Sequence, residues 1–117
     1  MKTLHNHSDI RAFLAISLAS FFFFFNSCSS NSAPPANQVY IQGMAFSPAT
    51  LTVSVGTTVT WTNKDAVAHT VTSNTAGLFN SGNMNTNGTF SYMFMTAGTF
   101  SYFCAIHPTM TAKVIVN

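Results

Sequence analysis

Between Val39 and Val116, apolar and polar side chains alternate in one short run after another. Leu51-Thr52-Val53-Ser54-Val55 alternates until Gly56 breaks the run, and Val59-Thr60-Trp61-Thr62 alternates again. Phe90-Ser91-Tyr92-Met93-Phe94 and Phe100-Ser101-Tyr102-Phe103-Cys104 repeat the pattern on either side of Thr96-Ala97-Gly98, and Lys113-Val114-Ile115-Val116 closes the chain. β-Branched and aromatic residues with a period of two, bounded by Gly, Asn and Pro, are half-buried strands. No segment carries a helical period. The expected fold is all-β, with about six to eight short strands in about 80 residues, the size and spacing of a small Greek-key sandwich. Asn74 to Gly88, rich in Asn and Gly, is the least regular part, pinned by Leu78 and Phe79.

Upstream of that domain the composition changes twice. Lys2 and Arg11 flank a polar beginning, and Ala12 to Phe25 is an unbroken run of apolar and small residues. A run of about 14 residues is the core of an export signal and is short for a membrane span. Ser27-Cys28 follows it as in a bacterial lipoprotein signal, where the Cys becomes the lipidated first residue. Residues 1–27 are therefore expected to be a signal peptide. Residues 28–38 are expected to be a lipidated Cys28 with a flexible Ser/Asn/Ala/Pro tether, and residues 39–117 the folded domain. This places the protein in the periplasm or cell envelope, anchored to a membrane through lipid.

Charge excludes whole classes of partner. From Cys28 onward only Lys64, Lys113 and Asp65 are charged, a net +1. Nucleic-acid binding needs a cluster of Lys and Arg to neutralise phosphates, and there is none. Long-range steering of a protein partner is equally short of charge.

With Cys28 carrying lipid, Cys104 is an unpaired cysteine in an exported protein, which calls for an explanation. The stretch Cys104-Ala105-Ile106-His107-Pro108-Thr109-Met110 supplies one, because a thiolate, an imidazole and a thioether recur at C-x2-H-x2-M. Soft sulfur with imidazole favours copper, and two His, one Cys and a weak axial Met make a blue-copper set. After Cys28 the chain has only two histidines, His69 and His107, so the missing imidazole is assigned to His69. Zinc would suit Cys and His but has no need of Met110. Met44, Met84, Met93 and Met95 are scattered, and read as packing or surface residues rather than a copper store.

Strand direction agrees with that site. Phe100, Tyr102 and Cys104 share one face, the core face, so the thiol emerges inward at the end of its strand. Pro108 stiffens the loop that follows.

From about Val39 to Val116 the chain resembles the cupredoxins, and within them the amicyanin and plastocyanin group. The resemblance is carried by Phe46-Ser47-Pro48-Ala49-Thr50-Leu51-Thr52-Val53, Gly56, Val59-Thr60-Trp61-Thr62-Asn63-Lys64-Asp65, His69-Thr70-Val71, and Gly98-Thr99-Phe100-Ser101-Tyr102-Phe103-Cys104 with the loop beyond. The loop spacing is similar to that of amicyanin. The resemblance implies one copper per chain, cycling between Cu(I) and Cu(II), with His69, Cys104 and His107 as strong ligands and Met110 as the long axial one. It also implies that Thr70 and Asn63 stand behind the ligands, Thr70 in the place where many members have Asn. Phe103 replaces the Tyr that plastocyanins set beside an acidic patch, so docking by that route is not expected.

The implied function is a monomeric, non-enzymatic electron carrier that meets transient redox partners. His107 is the expected electron exit, within an apolar patch of Met44, Ala105, Ile106 and Pro108. The alternative from another class is a copper-binding or copper-delivery module without redox turnover. Catalysis of the nitrite reductase or multicopper oxidase kind needs further histidines.

Overall fold

The computed structural model describes residues 33–117, and the expectations for the leader and for Cys28 fall outside them. Eight strands and no helix form among the described residues: β1 (Gln38–Ile41), β2 (Phe46–Ser47), β3 (Thr50–Val53), β4 (Thr57–Asn63), β5 (Thr72–Ser73), β6 (Thr89–Phe94), β7 (Gly98–Phe103) and β8 (Thr111–Val116). They make two four-stranded sheets, ordered β2-β1-β4-β6 and β3-β8-β7-β5. The protein is an all-β sandwich.

After the β1–β2 hairpin the chain changes sheet at each of the next connections, until β7 and β8 pair as neighbours. This crossing leaves two parallel pairs, β1 with β4 and β3 with β8, in otherwise antiparallel sheets. Because β1 and β4 run together, the turn after Ile41 lies beside the chain leaving Asn63, where the Lys64 amide donates to the Ile41 carbonyl at 2.8 Å. Antiparallel pairing of Thr72 with Phe103 brings the chain before β5 to the chain after β7. Two segments far apart in sequence therefore end at the same place.

The alternation of the sequence becomes the core. Val59, Trp61 and Asn63 point inward from β4, Val39 and Ile41 from β1, and Tyr102, Val114 and Val116 from the opposing sheet. Trp61 is at the centre, with the rings of Phe79, Phe90, Phe94 and Tyr102 at centroid distances of 5.5–6.4 Å. Burying one large apolar side chain contributes about 1.5–3 kcal/mol, so this aromatic cluster is a main anchor of the sandwich. Phe79 does pin the irregular stretch, and the half-buried Leu78 packs against the same core.

Two local expectations change. The alternation of Leu51-Thr52-Val53-Ser54-Val55 reads as one strand up to Gly56, but β3 stops at Val53 and Val55 is exposed. The chain turns there, with the Thr57 amide closing onto the Ser54 carbonyl and Gly56 at φ +87°, a conformation that a glycine adopts without a β-carbon clash. Cys104 lies one residue beyond β7 rather than inside it, yet remains fully buried.

Candidate metal centre

The chain leaving β4 reaches His69 through a short loop that Asn63 organises. The Asn63 amide nitrogen donates to the carbonyls of Val67 and Met84, each at 2.8 Å, and its oxygen accepts from the Asp65 amide at 2.9 Å. A fully buried Asn with its hydrogen bonds made fixes the path of the loop. His69 and Met84 then exchange backbone hydrogen bonds at 3.1 and 2.8 Å, which locks the His69 backbone inside the sandwich end.

The second segment closes on itself. Met110 donates its amide to the His107 carbonyl at 2.9 Å, and Cys104 donates to the Met110 carbonyl at 3.0 Å. The loop from Cys104 to Met110 is thus a compact turn, with Cys104 and Met110 buried and His107 partly exposed.

Three donor atoms converge between these segments. Cys104 Sγ is 3.7 Å from His69 Nδ1 and 3.7 Å from His107 Nδ1, and the two Nδ1 atoms are 3.2 Å apart. A metal with bonds of about 2.0 Å to nitrogen and about 2.3 Å to sulfur would hold its donors apart by roughly these distances. The residues fit a single ion, and the soft sulfur with two imidazoles matches copper. Met110, buried in the same loop, completes the expected set at the level of its backbone placement. His69, Cys104, His107 and Met110 form one candidate copper site per chain.

The surroundings prepare each donor. Burial alone would raise the Cys104 thiol, but the Thr70 amide, His69 and the His107 contacts outweigh it and bring the pKa down to about 6. A thiolate at neutral pH is the form that binds metal. Thr70 donates its amide to Cys104 Sγ at 3.3 Å, and its hydroxyl accepts from the Ala105 amide at 2.7 Å, joining the two ligand segments. On the far side of His69, Nε2 is 2.9 Å from Asp65 Oδ2. Burial would raise the Asp65 carboxyl, but hydrogen bonds from the Met44 and Gly43 amides and the contact with His69 hold it below its ordinary range. Reading the residues alone had passed over Asp65. Its signal was available, since it is the only acidic side chain after Asp9 and stands four residues before His69.

A small sandwich with a thiolate and two imidazoles gathered at one end defines a class, the single-domain copper proteins. The family model described as the Cupredoxin-like domain matches residues 14–116. The chain belongs to the cupredoxins. Amicyanin-alpha of Methylorubrum extorquens is 33% identical over 92 residues, covering 70% of this chain and 72% of that protein. Amicyanin of Paracoccus denitrificans is 37% identical over 84 residues, covering 68% and 63% of the two chains. Among solved structures, a purple cupredoxin from Nitrosopumilus maritimus superposes with a TM-score of 0.65 at 35% identity, over 68% of this chain and 98% of that one. The Cu(I) form of an amicyanin variant gives 0.66 at 36% identity, over 74% and 87%.

Proposed function

We propose that this chain is a mononuclear type I copper protein that carries single electrons between transient partners in the cell envelope. The observation that supports this most is the convergence of one thiolate sulfur and two imidazole nitrogens at 3.2–3.7 Å, with Met110 buried alongside. When bound, copper would supply one-electron redox chemistry. The chain's own residues do the rest: His69, Cys104 and His107 hold the ion, Met110 tunes it, and the packed sandwich keeps the donors in place when the charge changes.

His107 is the ligand with a path to solvent, and Met44, Ala105, Ile106 and Pro108 are all exposed, as an apolar docking face around it requires. Val67, in the loop that leads to His69, is exposed as well. Small apolar faces suit short-lived redox encounters. The protein acts as a monomer and is not an enzyme in this reading. A copper-containing nitrite reductase from Thermus scotoductus shares the fold at 26% identity, but this chain covers only 22% of it. Export and lipid attachment at Cys28 complete the proposal. Membrane fractionation of the wild type against Cys28→Ala tests them, and an unchanged membrane fraction in the variant would remove the anchor.

The direct test of the site is an absorption and EPR spectrum after adding Cu(II). An intense thiolate-to-copper band, bleached by ascorbate and lost in Cys104→Ala, is expected. Copper binding without that band would favour a delivery module instead.

A further inference from the structure

The only acidic side chain among the described residues is spent on the back of one candidate ligand. Asp65 Oδ2 lies 2.9 Å from His69 Nε2 and accepts the Met44 amide at 2.9 Å, while Oδ1 accepts the Gly43 amide at 2.7 Å. The residue is held from its backbone as well: its amide donates to Asn63 Oδ1 at 2.9 Å and its carbonyl accepts from the Thr86 hydroxyl at 2.8 Å. These contacts leave the carboxylate little freedom to turn.

The turn that feeds it is shaped for the purpose. Gly43 and Met44 both sit in the left-handed region, at φ 63° and 60°, and so aim two successive amides at one carboxylate. Successive backbone N–H groups in such conformations make an anion-binding nest. Gly43 adopts that geometry freely, but Met44 carries a β-carbon that disfavours it. A surface ion pair needs no such arrangement. This carboxylate is fixed by three donors, one of which is the ring of a candidate metal ligand.

We propose that Asp65 is a positioning residue that holds the His69 ring with Nδ1 facing the metal and, through its hydrogen bond at Nε2, tips the centre towards Cu(II). The inference deepens the copper reading and rests on it. A neutral imidazole that donates Nε2–H to a carboxylate must present the lone pair of Nδ1, so the tautomer is set before any ion arrives. The same hydrogen bond makes the ring a stronger donor, and a stronger donor stabilises the more highly charged ion. Because the Gly43–Met44 turn grips the same carboxylate, the exposed Met44 is mechanically connected to the His69 ring through a single side chain.

The test uses the full chain and Asp65→Asn, Asp65→Ala and Asp65→Glu. Cu(I) and Cu(II) affinities are measured by competition with chelators selective for each state, which requires no colour. In Asp65→Asn the Cu(II)-to-Cu(I) affinity ratio is expected to fall about tenfold, equivalent to a rise of 59 mV in potential for one electron. The shift should be the same at low and high salt, since a through-space charge effect alone would be screened. Asp65→Glu should recover part of it. In the wild type, nitrogen-15 NMR of the metal-free and Cu(I) forms should show a His69 Nε2 proton protected from exchange. That measurement holds whether or not the variants fold. An affinity ratio within about twofold of wild type in all variants, or a freely exchanging Nε2 proton, would overturn the proposal. A wild type that binds copper without the thiolate band defeats the carrier reading separately, because the affinity ratio and the ring proton are still measurable.

Discussion

The amide of Thr70 donates to the sulfur of Cys104 at 3.3 Å, and one residue further on the Thr70 hydroxyl accepts the amide of Ala105 at 2.7 Å. The pair of contacts spans the two segments that carry the donors, at the point where β5 and β7 begin to pair. The first survives any side-chain change, and the second depends on the hydroxyl. Thr70→Ala should therefore keep the depressed thiol but leave the Ala105 amide without its partner, costing about 1–2 kcal/mol. Thr70→Ser should cost much less. Urea unfolding of the metal-free protein measures both, and equal midpoints for the two variants would remove the hydroxyl from the account.

Asn63 carries more, because its side chain makes three hydrogen bonds while fully buried. Asn63→Ala strands the Val67 carbonyl and the Asp65 amide and leaves the Met84 carbonyl with the His69 amide alone. The expected loss is about 3 kcal/mol, near the upper end for a single substitution. Hydrogen exchange should localise the damage to residues 63–69 and to Met84, while the sheet amides of β7 and β8 retain their protection. Uniform deprotection would mean that Asn63 supports the whole sandwich rather than the loop.

Much of this was legible in the residues. The ligand loop announced itself because few side chains have the softness copper prefers, and because only two histidines remain after Cys28. The strands were legible wherever alternation ran for four residues or more. β5 was not, since Thr72–Ser73 is two residues long and exists only because β7 lies beside it. Val55 misled for a related reason: its alternation continues past the point where Gly56 has already turned the chain. Asp65 offered one local sign, its place four residues before His69, and none of the turn that holds it. Its partners at Gly43 and Met44 are more than 20 residues away and meet it only through the parallel pairing of β1 with β4.

Met110 is expected to have two roles that can be separated. As a buried side chain it packs the site end, and truncation to Ala should destabilise the metal-free protein by about 2–5 kcal/mol. Met110→Leu keeps most of the volume and should cost under about 1.5 kcal/mol. Leucine offers no sulfur, however, so the copper-loaded Leu variant should keep its thiolate band yet show a changed, higher potential. Spectroelectrochemistry beside urea unfolding checks this. A potential unchanged by Met110→Leu would reduce Met110 to a packing residue.

Electron exchange between copies of the protein should depend little on salt. From residue 28 onward the chain carries two lysines and one aspartate, and Asp65 is committed to His69, Gly43 and Met44. The Debye length falls from about 30 Å at 0.01 M to about 8 Å at 0.15 M salt, so a charge-steered reaction would slow steeply across that range. NMR line broadening in mixtures of the Cu(I) and Cu(II) forms gives the rate directly. A change beyond about threefold over that range would point to charge rather than the apolar face as the docking determinant.

Tyr102 sits beside Trp61 at the centre of the core, and neither its hydroxyl nor the indole nitrogen has a hydrogen-bond partner. Burial pushes the phenol up from its ordinary 10.0 to about 12. The folded state therefore keeps its proton after the unfolded chain has begun to lose it. A raised pKa contributes stability that is fully present below pH 10 and lost as the pH climbs towards 12. The two units correspond to about 2–3 kcal/mol over that window. Tyr102→Phe removes both the titration and the unpaired hydroxyl. Below pH 9 the variant should be as stable as the wild type or better, by up to about 1 kcal/mol, because a hydroxyl buried without a partner costs free energy. Above pH 10 the advantage should widen. Urea midpoints of the metal-free proteins from pH 7 to 11.5 measure the difference, and parallel pH curves would show that Tyr102 titrates alike in both states.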